Sequence, residues 1–134
     1  RPSNGTGSFL ENINWEDRPL TDNIFFPEMI ENLPDVDLSL PGVKAKLFQG
    51  PGMQAVFFTL EGPSEIPAHY HQAQWGVILD GEVEMTIDGR TRTLRRGDAY
   101  YIPDGVEHSA RVRTSMKALD FFNEGQRYKP KVQS

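Results

Sequence analysis

The sequence predicts an all-β fold, a small barrel around a metal site, and three observations carry that expectation. Gly and Pro are abundant, twelve and ten in 134 residues; with the many Val, Ile, Phe and Thr they favour strands joined by tight turns. Apolar and polar residues alternate over short runs, as in Val83, Met85 and Ile87 against Glu82, Glu84 and Thr86, which marks a strand buried on one face. All three histidines fall in two short segments, one holding His69-Tyr-His71 and the other ending at His108. On an extended chain a His-x-His pair points both imidazoles to one face. A third imidazole from a neighbouring strand completes a site that suits zinc, nickel, copper or iron and keeps room for water or substrate.

Taken in order, residues 1–22 are expected to form an N-terminal arm, partly flexible, and residues 23–134 a single barrel domain. Pro27-Glu-Met-Ile-Glu-Asn-Leu33 predicts one or two helical turns before Pro34. Nine strands are expected, near 43–49, 54–60, 66–71, 75–79, 82–88, 91–95, 98–102, 107–113 and 116–122. Asp80-Gly81 and Asp88-Gly89 read as hairpin turns. Parity puts His108, Ala110 and Val112 on one inward face, and Ala118, Asp120 and Phe122 on another. His71 and Gln74 are three residues apart, so an unbroken strand would place them on opposite faces; the chain must turn at Gln72-Ala73 for both to reach one ion. Tyr100, Tyr101, Trp75 and Met85 read as barrel packing or pocket lining, Phe25, Phe26, Phe57 and Phe58 as core or subunit interface, and Arg90, Arg92, Arg95 and Arg96 as a solvated hairpin surface.

The two histidine segments resemble the paired motifs of the cupin superfamily. Gly62 precedes His69-Tyr-His71 by six intervening residues, and Gln74, separated from Gly81 by a six-residue spacer, takes the place of the usual glutamate. Gly97, Pro103, Gly105 and His108 match the second motif step by step, with Val112 where the family has asparagine. The resemblance spans roughly residues 45–122, with core motifs at 62–81 and 97–112, and implies a double-stranded β-helix, the jelly-roll barrel, holding one divalent ion. It further implies His69, His71, Gln74 and His108 as ligands and zinc, nickel, manganese or iron as the ion. Small cupins commonly pair sheets between subunits, so a homodimer is expected.

The C-terminal strand narrows the resemblance. Cupins that linearise unsaturated uronates in pectin and alginate breakdown use three histidines and a glutamine on the metal, then Asp-x-Phe and a nearby Arg. Here Asp120-Phe-Phe122 is followed by Arg127, about one residue further along, and Gln74-Trp-Gly76 is similar to their Gln-x-Gly. The resemblance implies Asp120 as acid or base, Phe122 as a wall and Arg127 as the clamp for a sugar carboxylate. An amide ligand leaves the +2 charge of the ion uncompensated, which favours an anionic small-molecule substrate. Lewis-acid isomerisation or ring opening of a sugar acid is the leading reading, iron-dependent dioxygenation the alternative, and metabolite or sugar binding without catalysis the third.

The net charge of −5 argues against nucleic acid or an anionic membrane as partner. No apolar run approaches the ~20 residues of a spanning helix, and with no cysteine there is neither disulfide nor thiolate ligand. A cytoplasmic location is expected, with a removed leader left open because the chain begins at Arg1.

Overall fold

The computed structural model describes residues 25–132. The expected N-terminal arm lies outside them. A single turn of helix, α1 (Glu28–Glu31), follows Pro27, whose fixed φ suits a helix start. Eight antiparallel strands come next: β1 (Val43–Gly50), β2 (Met53–Glu61), β3 (Ser64–His69), β4 (Gln74–Ile87), β5 (Arg90–Arg95), β6 (Ala99–Ile102), β7 (His108–Val112) and β8 (Ser115–Phe122). They join in the order β1-β2-β8-β4-β7-β3, with β5 and β6 also paired to β4. The sheet curls on itself, and Val56, Leu60, Ile78, Val83, Val112 and Phe122 fill the inside.

The expected hairpin at Asp80-Gly81 is not formed, which reduces nine strands to eight. The chain runs straight on through β4, and the register against β8 shifts between Ile78 and Asp80. Gly81 takes a positive φ of 75° there, and a Cβ on it would strike the Ser115 carbonyl. The bulge falls at Leu79-Asp80, opposite Lys117, and the Asp-Gly pair continues the strand with only Gly81 in the left-handed region. The bulge lets one strand serve two halves of the curl: residues 74–81 pair with β6 and β8, residues 82–87 with β5 and β7. Asp88-Gly89 does form the hairpin to β5, with φ of 51° and 78°, as a type I′ turn requires.

Trp75 and Tyr101 are corrected as well. They are 43% and 60% exposed on the outer face, whereas Tyr100 and Met85 point inward. The alternation on β6, with Tyr100 and Ile102 buried between exposed neighbours, separates the adjacent tyrosines. Phe58 is core, while Phe57 faces outward under Phe26, their rings 5.6 Å apart.

Candidate metal centre

His69 and His108 meet because β3 and β7 pair in a register that sets them directly opposite. Ile66 and His69, an odd step apart, both reach β7 in this pairing because the register shifts between them. Pro67, which has no N–H for the ladder, sits in that irregular stretch. The strand expected over 66–71 ends at His69, so His71 arrives from the loop at 70–73 rather than by strand parity. That loop is held in place: the Gly105 amide donates to the His71 carbonyl at 2.9 Å, the Asn123 amide to the Ala73 carbonyl at 2.9 Å, and the Gln72 amide to Glu124 Oε2 at 3.2 Å. The turn required at Gln72-Ala73 is present, and Gln74 opens β4 beyond it.

The three imidazoles present ligand nitrogens that lie within 4.8 Å of one another. Each also meets a backbone carbonyl through Nδ1: His69 with Pro67 at 2.8 Å, His71 with Gln72 at 2.7 Å, His108 with Val106 at 2.9 Å. A carbonyl only accepts, so every Nδ1 carries the hydrogen and every Nε2 keeps its lone pair. His71 Nε2 and His108 Nε2 are 3.2 Å apart. Two lone pairs at that distance repel unless a cation or a proton lies between them. Burial works against the proton: it lowers the pKa of all three histidines, His108 to about 4, and the Arg127 guanidinium adds to the lowering. Two bonds of ~2.1 Å at tetrahedral or octahedral angles separate nitrogens by roughly 3.0–3.4 Å, which brackets the observed spacing. The residues fit a divalent ion.

Gln74 is 9% exposed, and its Oε1 is buried without a hydrogen-bond partner. The Gln74 amide lies close enough to Asp120 to favour its ionised form. Asp120 is 3% exposed on β8 and accepts a hydrogen bond from the Tyr100 hydroxyl. Register explains the meeting. Tyr100 and Asp120 both lie opposite Gly76, on either side of β4, and a Cβ at Gly76 would collide with both polar groups. The two side chains meet over the space that the glycine leaves. Burial raises the Asp120 pKa to about 7, with the Tyr100 hydrogen bond and the nearby Gln74 amide opposing, and holds the Tyr100 hydroxyl well above its usual value. Tyr100 therefore stays a donor.

His69, Gln74, His108, Tyr100 and Asp120 border one small internal cavity of about 50 Å³. Outside it lies a cleft of about 260 Å³ lined by His69, Phe58, Ile66, Arg127 and Tyr128. Phe122, 1% exposed, stands behind the site, packed on His71 and Tyr128 with ring centroids 5.5 and 5.1 Å away. Arg127 lies over the Tyr128 ring at 5.0 Å, and its buried Nε has no partner.

Two residues around the site have contacts that the sequence reading does not assign. Tyr100, read from the sequence as barrel packing or pocket lining, points inward and donates to Asp120. Gln54, buried on β2, grips the backbone of Tyr128 twice: its amide donates to the carbonyl at 2.8 Å and accepts from the N–H at 2.9 Å. It thereby fixes the segment that carries Arg127. No short-range signal reveals a contact across 74 residues of chain.

A family model for the cupin domain matches residues 56–122. Over 48 residues the chain is 42% identical to a mannose-1-phosphate guanylyltransferase from Salmonella montevideo, a stretch that is 36% of this chain and 10% of that protein. The chain thus spans only a tenth of that curated relative. Among solved structures it is similar to an RmlC-like cupin from Shewanella frigidimarina, at 25% identity and a TM-score of 0.65 over 72% of this chain and 87% of that one. It is also similar to KdgF from Halomonas sp., at 26% identity and a TM-score of 0.61 over 69% and 87%. Salicylate 1,2-dioxygenase from Pseudoaminobacter salicylatoxidans shares the fold at 19% identity, with a TM-score of 0.60 over 64% and 26%. Both histidine motifs lie largely or wholly inside the matched half of the sequence, and the curled sheet that brings them together is the one these structures share: the chain belongs to the cupin family.

Proposed function

We propose that this cupin is a metal-dependent enzyme acting on a small carboxylated molecule, and that its reaction is the ring opening and ketonisation of an unsaturated uronate or related sugar acid. The observation that carries the reading is a neutral ligand set beside a cation: His69, His71, His108 and Gln74 bring no charge to an ion, and the adjoining cleft is lined by Arg127, whose buried Nε has no hydrogen-bond partner. A divalent ion held by these four residues supplies a Lewis acid for an enolate or carboxylate oxygen. Arg127 binds the substrate carboxylate and orients it. A cleft of about 260 Å³ is below the ~300–1,000 Å³ of drug-sized pockets, which favours a single sugar unit over a polymer. Asp120, bordering the inner cavity, moves the proton. The reaction is an isomerisation and needs no second reactant. Phe122 acts from behind by fixing His71, and Glu124 holds the loop that carries the ring by accepting from the Gln72 amide.

The assay follows the ultraviolet absorbance of a 4,5-unsaturated uronate, which is lost on ketonisation. At saturating metal, Asp120→Asn is expected to lower turnover by ~10²–10⁴-fold, the usual contribution of a positioned acid or base, while Arg127→Ala mainly raises KM. A wild-type protein that leaves the uronate untouched with zinc, nickel, manganese and iron in turn removes the uronate reading. Metal-dependent oxygen uptake on a panel of small acids would then identify a dioxygenase.

We also propose a homodimer built on the outer face of the sheet. Register aligns Phe48, Ala55, Phe121, Trp75 and Tyr101 in one row across β1, β2, β8, β4 and β6, and four of the five are exposed apolar or aromatic side chains. Such a contiguous patch marks an interaction surface. Light scattering should give twice the chain mass for the wild type and a monomer for Trp75→Arg/Phe121→Arg; a monomeric wild type removes the dimer.

A further inference from the structure

We propose that the cleft beside the β5 edge is a second ligand site, which binds the phosphate of a small phosphate monoester through Arg90 and Arg92. Register separates arginines that the sequence groups together. Arg92 lies opposite Met85, Arg90 opposite Ile87 and Leu94 opposite Val83. Met85, Leu94 and Val83 are buried core residues, so strand alternation puts Arg90 and Arg92 on the inner face with them. The acidic residues of β4 lie on the other face. There Glu82 pairs with Arg95, while Glu84 and Glu65 of β3 pair with Arg111. Among the described residues Arg90 and Arg92 form no ion pair, and alternation keeps Glu82 and Glu84 away from them. Two guanidiniums thus stand without a bound counter-charge on the face that carries the core.

The space in front of them has the size of a ligand site. Arg90, Arg92, Asp88 and Tyr101, with Met85 and Leu94, line a cleft of about 440 Å³, within the ~300–1,000 Å³ of small-molecule pockets. Because β5 pairs only with β4, alternate amides on its other edge add donors that no ladder uses. The two guanidiniums outweigh the Asp88 carboxylate by one charge, in a chain whose net charge is −5. Spacing selects the anion. Residues two apart on one strand face stand roughly 6.5 Å from each other, so two guanidinium forks can close on one group from two sides. A planar carboxylate is filled by a single fork, whereas a phosphate monoester carries nearly two charges and three free oxygens and accepts both. Met85 also borders the cavity beside the histidines, so the two sites share a wall. The proposal stands whether or not those histidines hold an ion.

The test is a titration of the isotope-labelled protein with glycerol phosphate at physiological salt, followed by the backbone amide and arginine Nε–H resonances. Resonances of residues 90–95 are expected to shift and saturate. Arg90→Gln/Arg92→Gln removes both forks and should weaken binding by at least about tenfold, the lower end for hydrogen bonds to a charged group. Both side chains are exposed, so this variant should melt within about 2 °C of the wild type. Arg92→Lys, which keeps the charge and loses the fork, should also weaken binding and carries the test if the double variant does not fold. Arg127→Ala should bind as the wild type does, which separates this cleft from the one that Arg127 lines. Glucuronate, a sugar carboxylate, should bind at residues 90–95 at least about tenfold more weakly than the phosphate. No saturable shift at these residues, undiminished binding by the arginine variants, or equal binding of glucuronate there overturns the proposal. Arginines that served only to keep other strands off the β5 edge would give the first of these results.

Discussion

The His69→Ala/His108→Ala protein is expected to emerge from metal loading with background metal content, while the wild type retains one ion per chain. The two histidines face each other across β3 and β7 and supply two of the three convergent nitrogens, so a single remaining imidazole with an amide oxygen is too weak a site. The same difference should appear as stability. A ligand at a hundred times its Kd stabilises the folded state by about 2.7 kcal/mol. With an unfolding entropy of about 2.1 cal/mol/K per residue, that raises the melting temperature by about 10 °C for 134 residues. Calorimetry with and without zinc should show this rise in the wild type and none in the double variant. Equal metal content, or an equal rise in both, would remove the site.

Gly76→Ala should damage the fold and the site together. The added Cβ meets the Asp120 carboxyl and the Tyr100 hydroxyl together. Neither is the loose end of a flexible side chain, since each is buried and bonded to the other. Relief requires separating them, which strands a buried carboxyl and a buried hydroxyl. Overpacking of this kind costs about 1–3 kcal/mol, or about 4–11 °C in melting temperature at this chain length. A melting point within about 1 °C of wild type would show that the two groups do not meet over this glycine.

Much of this architecture is legible along the chain. Period-2 alternation located the buried faces of β4, β7 and β8, and parity alone turned His108 and Asp120 inward. The spacing of the two motifs selected all three histidines. Legibility ended where one local signal serves two structures. Asp80-Gly81 and Asp88-Gly89 look alike as dipeptides, yet one runs on inside a strand and the other turns a hairpin. The difference lies in β8, which lies alongside the first pair and leaves no room for the chain to double back. His71 reached the site by a route that parity did not foresee, through a loop pinned by Gly105, Asn123 and Glu124.

What the sequence determined by itself is the inventory of the site: three histidines, an amide where the family has a carboxylate, an aspartate among apolar neighbours, and a glycine two residues after the amide. Residue type and spacing are local properties, and strand periodicity converts them into faces. What only the tertiary structure decided is which of these groups touch and in which sense. The Nδ1 atoms of the histidines lie against carbonyls of the chain, the Gln74 oxygen is buried without a partner, and Gly76 is bare because a tyrosine and an aspartate from two other strands meet above it. Those facts depend on strand register, and register is set by the packing of residues far apart in the chain, so no local pattern contains it.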